Sequence, residues 1–238
     1  MLLARHLRWA ARGGAASALV LAALLAFAAP AWADEHLDTS FSDDGYRTQN
    51  RTKLNDEARS LAFRSDGSVV VGGWDDNNNT LDDAMRMVTI AFTAAGGGDG
   101  PFSSGHSPQT DREFWSGKTD SAEEVLLLAD GRYAFVGHAG SSTSTSGGNY
   151  ECVVMVRGDD AYRDDTFSGD GKMFVSFHGS NNDQCYAGAL QDDGKILAGG
   201  WVYTSGANGR DLALARVNSS DGTLDTSFGS GGKVIYNA

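Results

Sequence analysis

A phrase that returns at a nearly constant interval limits this chain more than any other feature. Asp-x-x-Phe followed by Ser or Gly occurs at Asp38 to Ser42, Asp99 to Ser103, Asp164 to Ser168 and Asp225 to Gly229. Its aromatic positions, Phe41, Phe102, Phe167 and Phe228, lie 61, 65 and 61 residues apart. A second phrase, Asp-Gly with an apolar run and a closing Gly, reads SDGSVVVGGW (65–74), ADGRYAFVGH (129–138) and DDGKILAGGW (192–201). Two phrases that keep one period and one order predict a stack of like units.

Each period divides into short strands. An Asp-Gly between apolar runs is a hairpin signal, since both residues tolerate positive φ. It joins strands beginning near Arg59, Glu123 and Ala187 to Val69–Gly72, Tyr133–Gly137 and Ile196–Gly199. Further strands are expected at Met85–Phe92, Cys152–Arg157 and Leu212–Asn218, and, after the Phe phrase, at Lys172–Phe177 and Lys233–Tyr236. With 31 Gly against 3 Pro and no long helical periodicity, the predicted class is all-β: antiparallel four-stranded meander blades of about 60 residues, three repeats.

The best-formed copy runs through Gln191 to Leu197, Ala213 to Arg216 and Leu224 to Gly229. It resembles the delta-60 repeat, a bacterial repeat of exported and surface-associated proteins. That resemblance implies β-propeller-like blades and supplies no catalytic residues. The expected units are 38–98, 99–163 and 164–224, with 225–238 as a closing segment. Closed propellers usually have four to eight blades. Three units can close a small ring, remain an open arc or join a second chain as a six-bladed homodimer, and the C-terminal strand Lys233–Tyr236 is expected to complete the first blade, within the chain or across a dimer.

The N-terminus reads as an export signal. Arg5, Arg8 and Arg12 precede an apolar run from Ala15 to Ala29, then Pro30 and the small-residue site Ala31-Trp32-Ala33. The run is short for a bilayer span, so residues 1–33 are expected to be a cleaved signal peptide and 34–238 a single repeat domain. The address is secreted, periplasmic or cell-surface, with no membrane span after cleavage. The formal charge is −12, and the signal segment carries no acid, so the mature chain is more acidic still. That excludes nucleic acid as the expected partner.

A meander places the Asp-Gly turns and Phe phrases at one end of each blade and the unlike loops at the other. Function tends to sit on loops held by a regular scaffold, which points to Trp74, Trp115, His138, Trp201 and Tyr203 as ligand contacts. Trp74, His138 and Trp201 hold one equivalent position. Asp164, Ser168 and Asp170 copy part of a calcium loop's oxygen spacing, but the closing carboxylate position is Val175, so a structural turn is preferred and no cofactor is expected. Cys152 and Cys185 fall at the variable end of neighbouring blades, where export permits a disulfide. Glu123 and Glu124, adjacent on a strand, are expected to point to opposite faces.

No H-E-x-x-H, G-x-S-x-G or phosphate loop is present. The expected function is therefore an exported, non-catalytic module that binds or scaffolds a protein or glycan. The alternatives are a structural envelope or matrix repeat protein and a propeller hydrolase or lyase.

Overall fold

The computed structural model describes residues 37–48, 55–76, 85–98, 120–140, 150–179, 182–204 and 209–236. A compact unit spans Thr39–Ala238. Its described residues form no helix and three antiparallel meander sheets, as the repeats predict. The first sheet holds β1 (Asp56–Phe63), β2 (Val69–Asp76) and β3 (Met85–Phe92). In the second are β4 (Asp120–Leu127), β5 (Tyr133–Gly140), β6 (Tyr150–Arg157) and β7 (Lys172–Val175). The third comprises β8 (Asp183–Leu190), β9 (Ile196–Tyr203), β10 (Arg210–Val217) and β11 (Lys233–Tyr236). Residues 1–36, where the export signal is expected, residues 99–119 and most of the unlike loops lie outside the described residues.

All three Asp-Gly hairpins form, by a longer turn than expected. Only the glycines take positive φ, at 83°, 89° and 82° for Gly67, Gly131 and Gly194. The glycine amide bonds back three residues, as in Gly67 to Arg64 at 3.0 Å, the type I turn with a following left-handed residue. Asp66, Asp130 and Asp193 each accept the amide two residues on, at 2.9, 3.1 and 3.2 Å, which is why Asp precedes Gly.

Strands β1, β4 and β8 begin three or four residues earlier than the apolar pattern indicates, because each carries a β-bulge. The register slips between Ala58 and Ser60, Ala122 and Glu124, and Cys185 and Ala187. Arg59, Glu123 and Tyr186 are the extra residues. Opposite each bulge stands the second glycine position of the repeated phrase. A Cβ on Gly73 would lie 1.9 Å from the Glu57 carbonyl oxygen, on Gly137 1.9 Å from that of Ser121, and on Gly200 1.8 Å from that of Gln184. No side chain fits there, so glycine permits the bulge and the bulge redirects a side chain.

Alternation along the strands gives each sheet two faces. One junction buries Val70, Met87 and Ala91 of the first sheet against Val125, Tyr133, Phe135, Val153 and Met155 of the second. Another buries Val136, Cys152, Val154 and Val156 of the second against Cys185, Ile196, Ala198 and Ala215 of the third. The Phe phrase stitches units together. Ser42 donates its amide to the Ala95 carbonyl at 2.9 Å, and Ser168 donates to that of Asp221 at 2.8 Å. Phe167 is fully buried in the second junction.

One expectation is overturned. β11 pairs with β10, with Leu212 opposite Tyr236 and Ala215 opposite Lys233, so the C-terminal strand completes its own sheet rather than the first. β7 likewise closes the second sheet against β6. The strands after the Phe167 and Phe228 phrases thus belong to the sheet before them, and these sheets run out of phase with the phrase-bounded units. The reason is local. The Asp225–Phe228 turn is tied to β10 through Asp225 N to the Arg216 carbonyl, 2.8 Å, and brings the chain straight back beside it, with Arg216 N bonded to the Gly232 carbonyl at 3.0 Å.

Candidate binding face

The three bulges place three unlike side chains at equivalent points on β1, β4 and β8. Arg59 Nε lies 3.9 Å from Glu123 Oε2, and Glu123 Oε1 lies 3.8 Å from His138 Nδ1. The His138 ring meets the Tyr186 ring at 5.1 Å between centroids and that of Tyr150 edge-on at 5.4 Å. Arg59, Glu123, His138 and Tyr186 therefore form one continuous row across three sheets. The bulge also breaks the expected alternation at Glu123-Glu124. Both carboxylates reach toward β1, Glu123 to Arg59 and Glu124 to the Ser60 hydroxyl, which donates to it at 2.6 Å.

Burial differs along the row. The Arg59 side chain is 41% exposed, and those of Glu123 and His138 about a tenth. Tyr186 is half exposed, and its hydroxyl donates to the Gln184 side-chain carbonyl. Burial lowers the His138 pKa below the ordinary imidazole value, outweighing the pull of Glu123 and of the Cys185 carbonyl, which lies 3.4 Å from Nδ1. His138 is consequently neutral at pH 7.

The remaining predicted contacts distribute as follows. Trp201 is half-buried under the Arg210 guanidinium, 3.9 Å from its ring centroid. Tyr203, on the same face of β9, is about half exposed. Trp74, equivalent to His138 and Trp201, sits on the first sheet beside a cleft of about 380 Å³ that Arg47, Glu57, Val71 and Phe92 also line. Trp115 lies outside the described residues. The structure thus brings His138 into the row and places Trp74 at the cleft of the first sheet instead. Sequence reading missed Arg59 and Tyr186, although the twice-repeated second glycine was a signal of close backbone approach opposite them.

The oxygens of the calcium-like phrase are engaged in turn chemistry. Asp164 Oδ1 accepts the Thr166 amide at 3.0 Å and its hydroxyl at 2.6 Å, while Oδ2 pairs with Arg132 at 2.6 Å. Asp170 accepts the Lys172 amide at 3.2 Å. Ser168 has φ 55° and binds the next unit through its amide. The third sheet repeats the arrangement with Asp225, which pairs with Arg216 at 2.8 Å and lies 3.8 Å from Lys195. Among the described residues no three His, Cys, Asp or Glu side chains group as a metal would require. Cys152 and Cys185 are joined as a disulfide, with Cα atoms 4.9 Å apart, linking β6 to β8 beside His138.

Comparison with known proteins adds a fold-level finding. The family described as "Domain of unknown function (DUF5122) beta-propeller" matches residues 191–228, which run from the Asp-Gly hairpin of the third sheet to its Phe turn. No curated protein matches the chain.

Proposed function

We propose that this chain is an exported, non-catalytic binding module whose ligand is a polar, hydroxyl-rich molecule, a glycan above all, held along the row Arg59, Glu123, His138 and Tyr186. The observation that carries this reading is the threefold bulge: one backbone device, repeated, presents a cation, a carboxylate and an aromatic side by side. The pairs in the row stand at 3.8 and 3.9 Å, beyond direct hydrogen-bond length, so a ligand hydroxyl placed alongside can bond to both partners. Tyr186 and Tyr203 add half-exposed aromatic surface nearby for stacking on a sugar ring. The resemblance to exported repeats, the signal-like N-terminus and a disulfide that needs an oxidising compartment support export.

A glycan array followed by calorimetry on the intact chain tests the reading. Glu123→Gln and Arg59→Ala are expected to weaken binding by about tenfold each, in line with lost hydrogen bonds to charged groups. Binding unaffected by both variants refutes the row as the site. Turnover in a panel of polysaccharides and esters, abolished by substitution of His138 or His178, favours the hydrolase or lyase reading instead.

A further inference from the structure

We propose that a second copy of this chain docks its third sheet onto the first sheet of its partner, extending the stack head to tail. Each sheet has a face that receives the sheet before it and a face that meets the sheet after it. Within the chain the second sheet uses both. Among the described residues no sheet covers the first sheet's receiving face or the third sheet's opposite face.

Both faces carry apolar rows, and on the first Arg47 and Thr48 line the cleft beside Val71 and Ile90. On the first sheet the paired rows Leu61, Val71, Ile90 and Phe63, Val69, Phe92 lie side by side, with Leu61 52% and Phe63 65% exposed. On the third sheet Leu212 and Tyr236 form one pair and Leu214 and Val234 the next. Leu212 and Tyr236 are 65% and 64% exposed. Adjoining apolar rows of this kind mark an interaction surface rather than scattered exposed residues.

Position-by-position equivalence identifies the occupant. At the first junction a Cβ on Gly72 would lie 2.6 Å from Val125, so glycine on one sheet makes room for a branched side chain on the next. The equivalent positions at the second junction are Val136 and Gly188, where the roles are exchanged, with a Gly188 Cβ 2.8 Å from Val136. The third such pair exists only between copies: Gly199 of one chain and Leu61 of another, again one glycine and one large residue. The neighbouring position follows suit. Met87 packs with Ala122 in the first junction and Cys152 bonds Cys185 in the second. Between copies the pair is Leu212 and Ala58, large against small.

Charge agrees with this docking. The residue equivalent to Arg210 is Tyr150, whose amide donates to Asn182 beside Asp183. The matching residues on a second copy are Asn55 and Asp56, so Arg210 approaches a carboxylate. Docking also brings Tyr186 next to Arg59 of the partner subunit, continuing the bulge row. Two copies supply six sheets, within the range of closed propellers; a heterologous contact of this kind closes into a ring when the rotation permits.

The decisive experiment copies the internal disulfide at the proposed junction. Full-length Leu212→Cys and Ala58→Cys variants are each oxidised alone and then mixed. Only the mixture is expected to give a cross-linked dimer on non-reducing electrophoresis, and light scattering of the wild type is expected to give twice the chain mass. Leu61→Glu, on an exposed side chain, should weaken association by about tenfold or more without moving the circular dichroism spectrum, because it sets a charge against an apolar face. A single-chain wild-type mass with no cross-link in the mixture overturns the proposal, as it would if residues 1–36 covered the first sheet. Cross-linking of Leu212→Cys with itself overturns it too, since that requires like faces to meet.

Discussion

The two internal junctions are built on equivalent positions and filled in opposite ways. Between the first and second sheets the bulk comes from the second, with Tyr133, Phe135 and Met155 packed against Val70, Gly72 and Ala91. Between the second and third, the strands meet through medium residues, Val136, Val154, Ile196 and Ala198, and the buried rings, Phe167 and Phe177, come from the segments on either side of β7. There a disulfide stands where Met87 and Ala122 meet in the other junction. Sheet spacing is therefore a property of summed side-chain volume and backbone geometry, not of any one residue. Aromatics carried on a strand fill one junction, and the other joins apolar burial to a covalent link.

The largest expected effect falls on the aromatic junction. Phe135 is fully buried, and Phe135→Ala should lower stability by about 3–5 kcal/mol, measured by urea unfolding. A loss below about 1 kcal/mol would mean the first sheet is not held by this face. Next comes the covalent junction. Reducing the Cys152–Cys185 bond, which closes a sequence separation of 33, should cost about 2–4 kcal/mol. Transplanting the other junction's pair, Cys152→Met with Cys185→Ala, should recover roughly half of that through packing alone; no recovery would show that the junctions are not interchangeable.

The smallest effect is a pH dependence confined to the disulfide-linked junction. Asp183, at the start of β8, is fully buried and accepts the Phe177 amide at 2.9 Å. Burial, with the nearby Glu151 adding to it, pushes its pKa from 3.8 up to about 6. The folded state thus holds this proton more tightly than the unfolded chain does. Its contribution favours folding fully below about pH 3.8 and is lost as pH rises through about 6. Asp183→Asn keeps an acceptor for Phe177 and removes the titration, so it should raise stability at pH 8 by about 1–3 kcal/mol and change little at pH 4. Melting curves of the two proteins that stay parallel from pH 4 to pH 8 would contradict this.

Much of the scaffold could be read before any coordinates. The Asp-Gly phrases marked three hairpins, and the apolar runs Tyr133–Gly137 and Leu212–Asn218 marked strands. The starts of β1, β4 and β8 could not be read. Asp56-Glu57-Ala58, Asp120-Ser121-Ala122 and Asp183-Gln184-Cys185 are polar or small, and they pair only because the opposing glycines admit a bulge. The candidate row was hidden for the same reason. Arg59, Glu123 and Tyr186 share no chemistry, so nothing in their identities groups them.

By itself the sequence determined the repeat period, the all-β class and the residues that make the turns. These depend on local backbone preference and on period-two burial, which neighbouring residues encode. Tertiary structure alone decided which sheets β7 and β11 join, which side chains the bulges bring into line, and which two sheet faces have no neighbouring sheet among the described residues. Those outcomes depend on close approach between segments distant in sequence, where a single Cβ decides whether two backbones can meet.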